Sequence, residues 1–176
     1  MTPISRYAKP TPIPVAIAPA ILLGIGLGGF VDGIVLHQIL QWHSMLSNVV
    51  QPSTVEAIHL NMFWDGAFHA ATWIVTFLGV MLLWRSGKQG NNPPLSIFLG
   101  AMLMGWGAFN LVEGLINHQL LELHNVREVA QPMVWNVGFL AFSAALFLLG
   151  FALAYKLPRT RELPQRTPFA KNSARY

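Results

Sequence analysis

Two stretches of this 176-residue chain place acid and imidazole at matching intervals. DGIVLHQILQWH (32–43) holds Asp32, His37 and His43, and EGLINHQLLELH (113–124) holds Glu113, His118 and His124. The two align without gaps: glycine, both histidines, the glutamine and a leucine are identical, and acid matches acid. A third block, DGAFH, puts Asp65 and His69 at i, i+4, on one face of a helix, where neighbours can share a ligand. Imidazole with carboxylate is a ligand set for zinc, iron, manganese or copper(II). On this reading His37, His69 and His118 are the nitrogen donors. Asp65 is a further ligand or the partner that fixes an imidazole tautomer, and Asp32 and Glu113 compensate charge or ligate. The expected cofactor is a transition-metal ion, copper, iron or zinc, with no residue choosing among them.

Two other readings use the same residues. His37 and His118, on two helices at equal depth, suit the axial positions of a b-type haem. Three acids beside a porphyrin suit it less, and few arginines are placed to meet propionates. Alternatively each acid pairs with one histidine and locks helix registry, a polar core with no ligand, as in a non-enzymatic membrane partner or a proton-conducting helper. His43, His59 and His124 are expected near the headgroups, where Met45, Met62 and Met133 offer soft donors for copper(I) or simply pack. With no cysteine, disulfides, thiolate metal sites and cysteine nucleophiles are excluded. No Ser/His/Asp set, phosphate loop or hydrolase signature marks a reaction, so turnover is left open.

The elements that must hold these groups are apolar. Residues are 53% hydrophobic and only 10% charged, where soluble domains run nearer a quarter charged, and mean hydropathy is +0.47. Four apolar stretches, near 14–41, 56–84, 95–123 and 129–155, are long enough at about 1.5 Å per residue to cross a hydrocarbon core of roughly 30 Å. The chain therefore reads as an all-α integral membrane protein: an up-down-up-down four-helix bundle of two tandem helical hairpins, about 14–84 and 95–155. It is preceded by a short segment, 1–13, with a basic tail at 156–176 that sets topology or rests on anionic headgroups.

Charge placement orients the bundle. Of the eleven Lys and Arg, all but Arg127 lie before the first span, between the second and third, or after the fourth. By the positive-inside rule both termini are cytoplasmic, and the basic balance speaks for the lipid bilayer as partner rather than nucleic acid. The first span is too long for a signal peptide and lacks a convincing cleavage site, so it is expected to stay as an anchor. Glycines at small-xxx-small spacing, Gly24/Gly28 and Gly29/Gly33, with Gly100, Gly105 and Gly107 in span three, read as close helix contacts. Ser53–Glu56 reads as a capping box opening span two, and Asn125–Glu128 as a similar start for span four.

Gly24 and Gly26 fall on Gly105 and Gly107 at the offset of 81 that relates the two His/acid blocks, and Trp64-Asp65 finds an echo in Trp135-Asn136. GFVDGIVLHQILQWH, DGAFHAATW and FNLVEGLINHQLLELHNVRE together resemble a bacterial family of predicted membrane proteins, domain-of-unknown-function family 2243, over residues 18–153. The family lends no activity. The resemblance implies a bacterial cytoplasmic membrane, and its members' occurrence beside oxidase-assembly-type membrane proteins implies such a partner and a respiratory or copper context. Asn136 stands where the resemblance leads one to expect aspartate. A homo-oligomer is compatible with all of this.

Helix geometry limits how the groups meet. Asp32 and His37 at i, i+5 are roughly 140° apart on an α-helix, so the spacing by itself does not make both chelate one ion. Gly33 is expected to leave space above the His37 ring. Counting rise from the outer boundary gives two layers, His37, His118, Asp65 and Asn136 outside, then Asp32, Glu113 and His69 beneath.

Overall fold

The computed structural model describes residues 14–156, so the segment 1–13 and most of the basic tail lie outside it. All its regular elements are helical: α1 (Pro14–Phe30), α2 (Val55–Lys88), α3 (Leu95–Glu113) and α4 (Pro132–Phe151). α1 runs on into a π-helical segment, π1 (Val31–Ile39), α3 into π2 (Gly114–Leu120), and α4 into π3 (Ala152–Lys156). With these extensions, four helices are long and apolar enough to cross a membrane.

The helices pack in series. α2 lies on α1, α1 on α3 and α3 on α4, while among the described residues the α1 backbone does not approach that of α4, and the α2 backbone approaches neither α3 nor α4, although Phe68 of α2 stacks on Phe109 of α3. Glycine permits the central contact. A Cβ on Gly24 would collide with the Met102 carbonyl, and one on Gly105 with the Ile21 carbonyl. The two collisions are reciprocal at the offset of 81, so the α1 and α3 backbones meet with no side chain between them. Gly107 does the same against Ser143 and Phe147 of α4.

Burial is inverted relative to a soluble protein. Trp73, Phe77, Trp84, Phe142 and Leu148 face outward, while Asp32, His37, Asn61, Asp65, Glu113, His118 and Asn136 are buried. Apolar side chains have nothing to gain by leaving hydrocarbon, and polar ones must find partners inside the protein. That is the packing of a membrane protein.

Two helix starts differ from expectation. α2 is capped by Thr54, one residue past Ser53, its Oγ1 accepting from the Ala57 amide at 3.2 Å. Glu128 does reach back to the Asn125 amide at 2.9 Å, but α4 begins only at Pro132, so that bond closes a loop. The loops after π1 and π2 then zip together through Asn48 to the Leu123 carbonyl (3.0 Å) and Glu128 to the Trp42 carbonyl (3.1 Å). This seam is the floor on which the histidines stand.

Candidate metal centre

The π segments decide the geometry. Opening each turn to i→i+5 brings residues five apart onto one face. Leu40 donates to the Val35 carbonyl and Leu121 to the Ile116 carbonyl, both at 2.8 Å. As a result Asp32 and His37, expected on different faces, lie together, Oδ2 to Nε2 at 3.2 Å. Glu113 and His118 do the same at 2.9 Å.

Past each π segment the chain turns through a left-handed residue that is not glycine: Gln41 at φ 52° and Glu122 at φ 49°. L residues adopt this conformation at a cost that surrounding contacts must offset. Here the turns fold His43 and His124 back over the acids. Neither ring is therefore exposed at the protein surface. Both are buried, as are His37 and His118, and the four rings form one cluster.

Three of the four imidazoles are held by their Nδ1–H. His37 donates to Asp65 Oδ1 at 2.9 Å, His43 to the Val126 carbonyl at 2.8 Å and His124 to the Met45 carbonyl at 2.9 Å. A neutral imidazole that donates from Nδ1 bears a lone pair on Nε2. The Nε2 atoms face carboxylates: His43 Nε2 is 4.0 Å from Asp32 Oδ1, and His124 Nε2 is 3.1 Å from Glu113 Oε1, a hydrogen bond. His37 Nε2, His43 Nε2, Asp32 Oδ1, Glu113 Oε2 and both His118 nitrogens are buried without an aligned hydrogen bond. His37, His43 and His124 offer ligand atoms within 4.8 Å of one another, and so do Glu113, His118 and His124.

Outside the spans, burial first, then the neighbouring rings of His124 and His37, pushes the His43 imidazole down to about 2. It is thus neutral and available as a donor across the physiological range. Phe68 stacks on His37 (5.8 Å) and Phe139 tilts against His118 (5.4 Å), covering the cluster with apolar rings.

Of the residues singled out from sequence, His37, His118, Asp32 and Glu113 come together. Asp65 stands behind His37 and also accepts from the Met45 amide at 2.8 Å. His69 is turned away: its Nδ1 bonds the Asp65 carbonyl at 2.7 Å, and it joins neither ligand group. Gly33 gives room to His69 rather than to His37, since a Cβ there would lie 2.5 Å from His69 Nε2. His59, Met62 and Met133 are exposed and apart from the cluster. Asn136 accepts from the Val126 amide at 3.0 Å and donates to Asn125, so His118 has no counterpart to Asp65. His43 and His124 are the residues that sequence reasoning undervalued. Their signal was present in the gap-free repeat, which carries them at the same offset as the acids.

A family model described as "Predicted membrane protein (DUF2243)" matches residues 19–157. No curated protein and no solved structure matches the chain.

Proposed function

We propose that this chain, which belongs to the DUF2243 family of predicted membrane proteins, binds a transition-metal ion between its two His/acid blocks. One observation carries the reading. Buried imidazole nitrogens and carboxylate oxygens converge, and several of them have no aligned hydrogen bond. Acceptors facing acceptors out of water are costly unless a cation or added protons lie between them. Imidazole and carboxylate donors without thiolate suit borderline divalent ions such as zinc, copper(II) or iron(II).

His37, His43, His118 and His124 would hold the ion through nitrogen, with Glu113 and Asp32 balancing its charge. Asp65 would fix the His37 tautomer, as carboxylates do behind metal-bound imidazoles. The arrangement favours an ion over a porphyrin. His43 and His124 each touch both His37 and His118, filling the space a haem between those two would need, and both His37 nitrogens already face carboxylates. The wider setting we propose is a bacterial cytoplasmic membrane, with both termini cytoplasmic and a metal-handling or respiratory-chain role. An oxidase-assembly-type protein or a second copy of the chain is the partner in that setting.

Elemental analysis and an optical spectrum of the detergent-purified protein test this. Metal in stoichiometric amount without a Soret band supports the ion. A Soret band supports haem. Protein that neither contains nor takes up metal, and melts the same with chelator, has a purely structural polar core.

A further inference from the structure

The ligand atoms of the histidine cluster sort by half of the chain. In the first half Asp32 Oδ2 lies 3.2 Å from His37 Nε2, and Asp32 Oδ1 lies 4.0 Å from His43 Nε2. In the second half Glu113 Oε1 lies 2.9 Å from His118 Nε2 and 3.1 Å from His124 Nε2. Each half thus turns two Nε2 atoms toward its own carboxylate. The bonds that cross between halves use the other ring nitrogen, His43 Nδ1 to the Val126 carbonyl and His124 Nδ1 to the Met45 carbonyl.

All six residues are buried. In the first set Asp32 Oδ1, His37 Nε2 and His43 Nε2 have no hydrogen-bond partner, and in the second neither His118 Nε2 nor Glu113 Oε2 has one. Two ligands bonded to one ion at about 2.0–2.2 Å stand roughly 3–4 Å apart. The separations from each carboxylate to its two imidazoles fall in that range, so each set fits around an ion of its own. His124 also lies within 4.8 Å of His37 and His43. With Nδ1 given to Met45, however, it has one nitrogen left, and that nitrogen is against Glu113. It serves the second set alone.

We propose that the centre holds two transition-metal ions, one in each half of the chain: Asp32, His37 and His43 hold the first, and Glu113, His118 and His124 the second. This rests on the metal reading and adds a second site to it. A single ion in one set would leave the other carboxylate and its two imidazoles buried against one another with no cation between them, which is costly out of water. Each ion takes the place of any proton shared between Nε2 and carboxylate, because a ligating imidazole must be neutral. Three protein ligands per ion leave a coordination position open on each, unlike a closed structural site.

The experiment titrates the detergent-purified, chelator-stripped full chain with copper(II). Bound copper is counted by elemental analysis after gel filtration, and the electron paramagnetic resonance spectrum is recorded. Two ions per chain are expected, with the broadened or silent spectrum of a coupled pair, because both sets lie in one ring cluster. Every ring touches a ring of the other half, so a histidine variant would disturb both sets. Asp32→Asn and Glu113→Gln keep all four rings. Each should weaken one binding step by at least about tenfold, the smallest loss expected even for a group behind a ligand, and leave the other step near wild type. One ion per wild-type chain overturns the second site and leaves the metal reading standing, whereas no ion overturns both. Two ions with the spectrum of isolated copper mean an adventitious ion only at the second position, and overturn the proposal. These wild-type measurements need no variant to fold. Two steps weakened alike, or both unchanged, in a folded single variant overturn the assignment by halves.

Discussion

His43 and His124 lie face to face, ring centroids 4.5 Å apart and 6° from parallel. Each gives its Nδ1–H to a carbonyl two residues beyond the other, His43 to Val126 and His124 to Met45. The exchange ties the two halves of the chain together and leaves His43 Nε2 turned toward Asp32 and His124 Nε2 toward Glu113. It is the relationship from which the candidate centre follows.

Metal removal should therefore destabilise the protein. An ion bound only to the folded state adds stability by mass action, so a chelator should lower the wild-type melting temperature. His43→Ala and His124→Ala should lose that response as fully as His37→Ala and His118→Ala, because all four rings share one cluster. Thermal melting in detergent, with and without chelator, decides it. A response retained in the His43 and His124 variants would confine the site to His37 and His118.

Asp65→Asn should weaken metal binding about tenfold to hundredfold without abolishing it, the usual effect of losing the group behind a ligating imidazole. His118 already lacks such a group, since Asn136 bonds Val126 and Asn125 instead and the His118 Nδ1 has no partner. His69→Ala should leave metal affinity near wild type, its ring being turned to the Asp65 carbonyl. Competition with a chromophoric chelator measures both. A large loss in His69→Ala would require that ring to swing into the cluster.

The metal-free protein should lose stability as pH falls. His43 is held neutral in the folded state to about 2, while in the unfolded chain it protonates near its ordinary 6.5. Its depressed value contributes stability that is complete above pH 6.5 and declines progressively as pH drops toward 2, because there the unfolded state binds the extra proton. In His43→Asn that contribution is absent, and the side-chain amide can still donate to Val126. Chelator-treated protein should show a shallower fall in melting temperature between pH 7 and 5 in the variant. Parallel curves for the two proteins would count against the neutral buried imidazole.

Gly24→Val and Gly105→Val should each destabilise the protein by at least about 1–3 kcal/mol, the range for forcing extra methyl groups into a packed interior. Here the added carbon meets backbone, Met102 or Ile21, which cannot rotate away. Gly66→Ala, where nothing lies within 4 Å, should be neutral or slightly stabilising. Melting of the three variants in one detergent checks the contrast.

The sequence by itself determined the solvent, the helices and the pairing of positions. Long uncharged runs can satisfy their backbone in lipid only as helices, and the offset of 81 makes Asp32 equivalent to Glu113 and His37 to His118 by alignment alone. It also carried His43 and His124, although an α-helix continued past Ile39 would have left them at the membrane surface. What only the tertiary structure decided was the local winding. Whether a helix widens to i→i+5 depends on bonds and contacts made elsewhere, and no residue type in LHQI or NHQL announces it. The left-handed turns at Gln41 and Glu122 were equally illegible, because neither is the glycine that such a turn favours. They are held by the seam between the two loops, a long-range contact. The same holds for Asp65, whose i, i+4 neighbour His69 was the nearer partner along the chain, yet whose carboxylate turns to His37 across the helix interface. Spacing fixes what can meet within one helix, and packing between helices chooses what does.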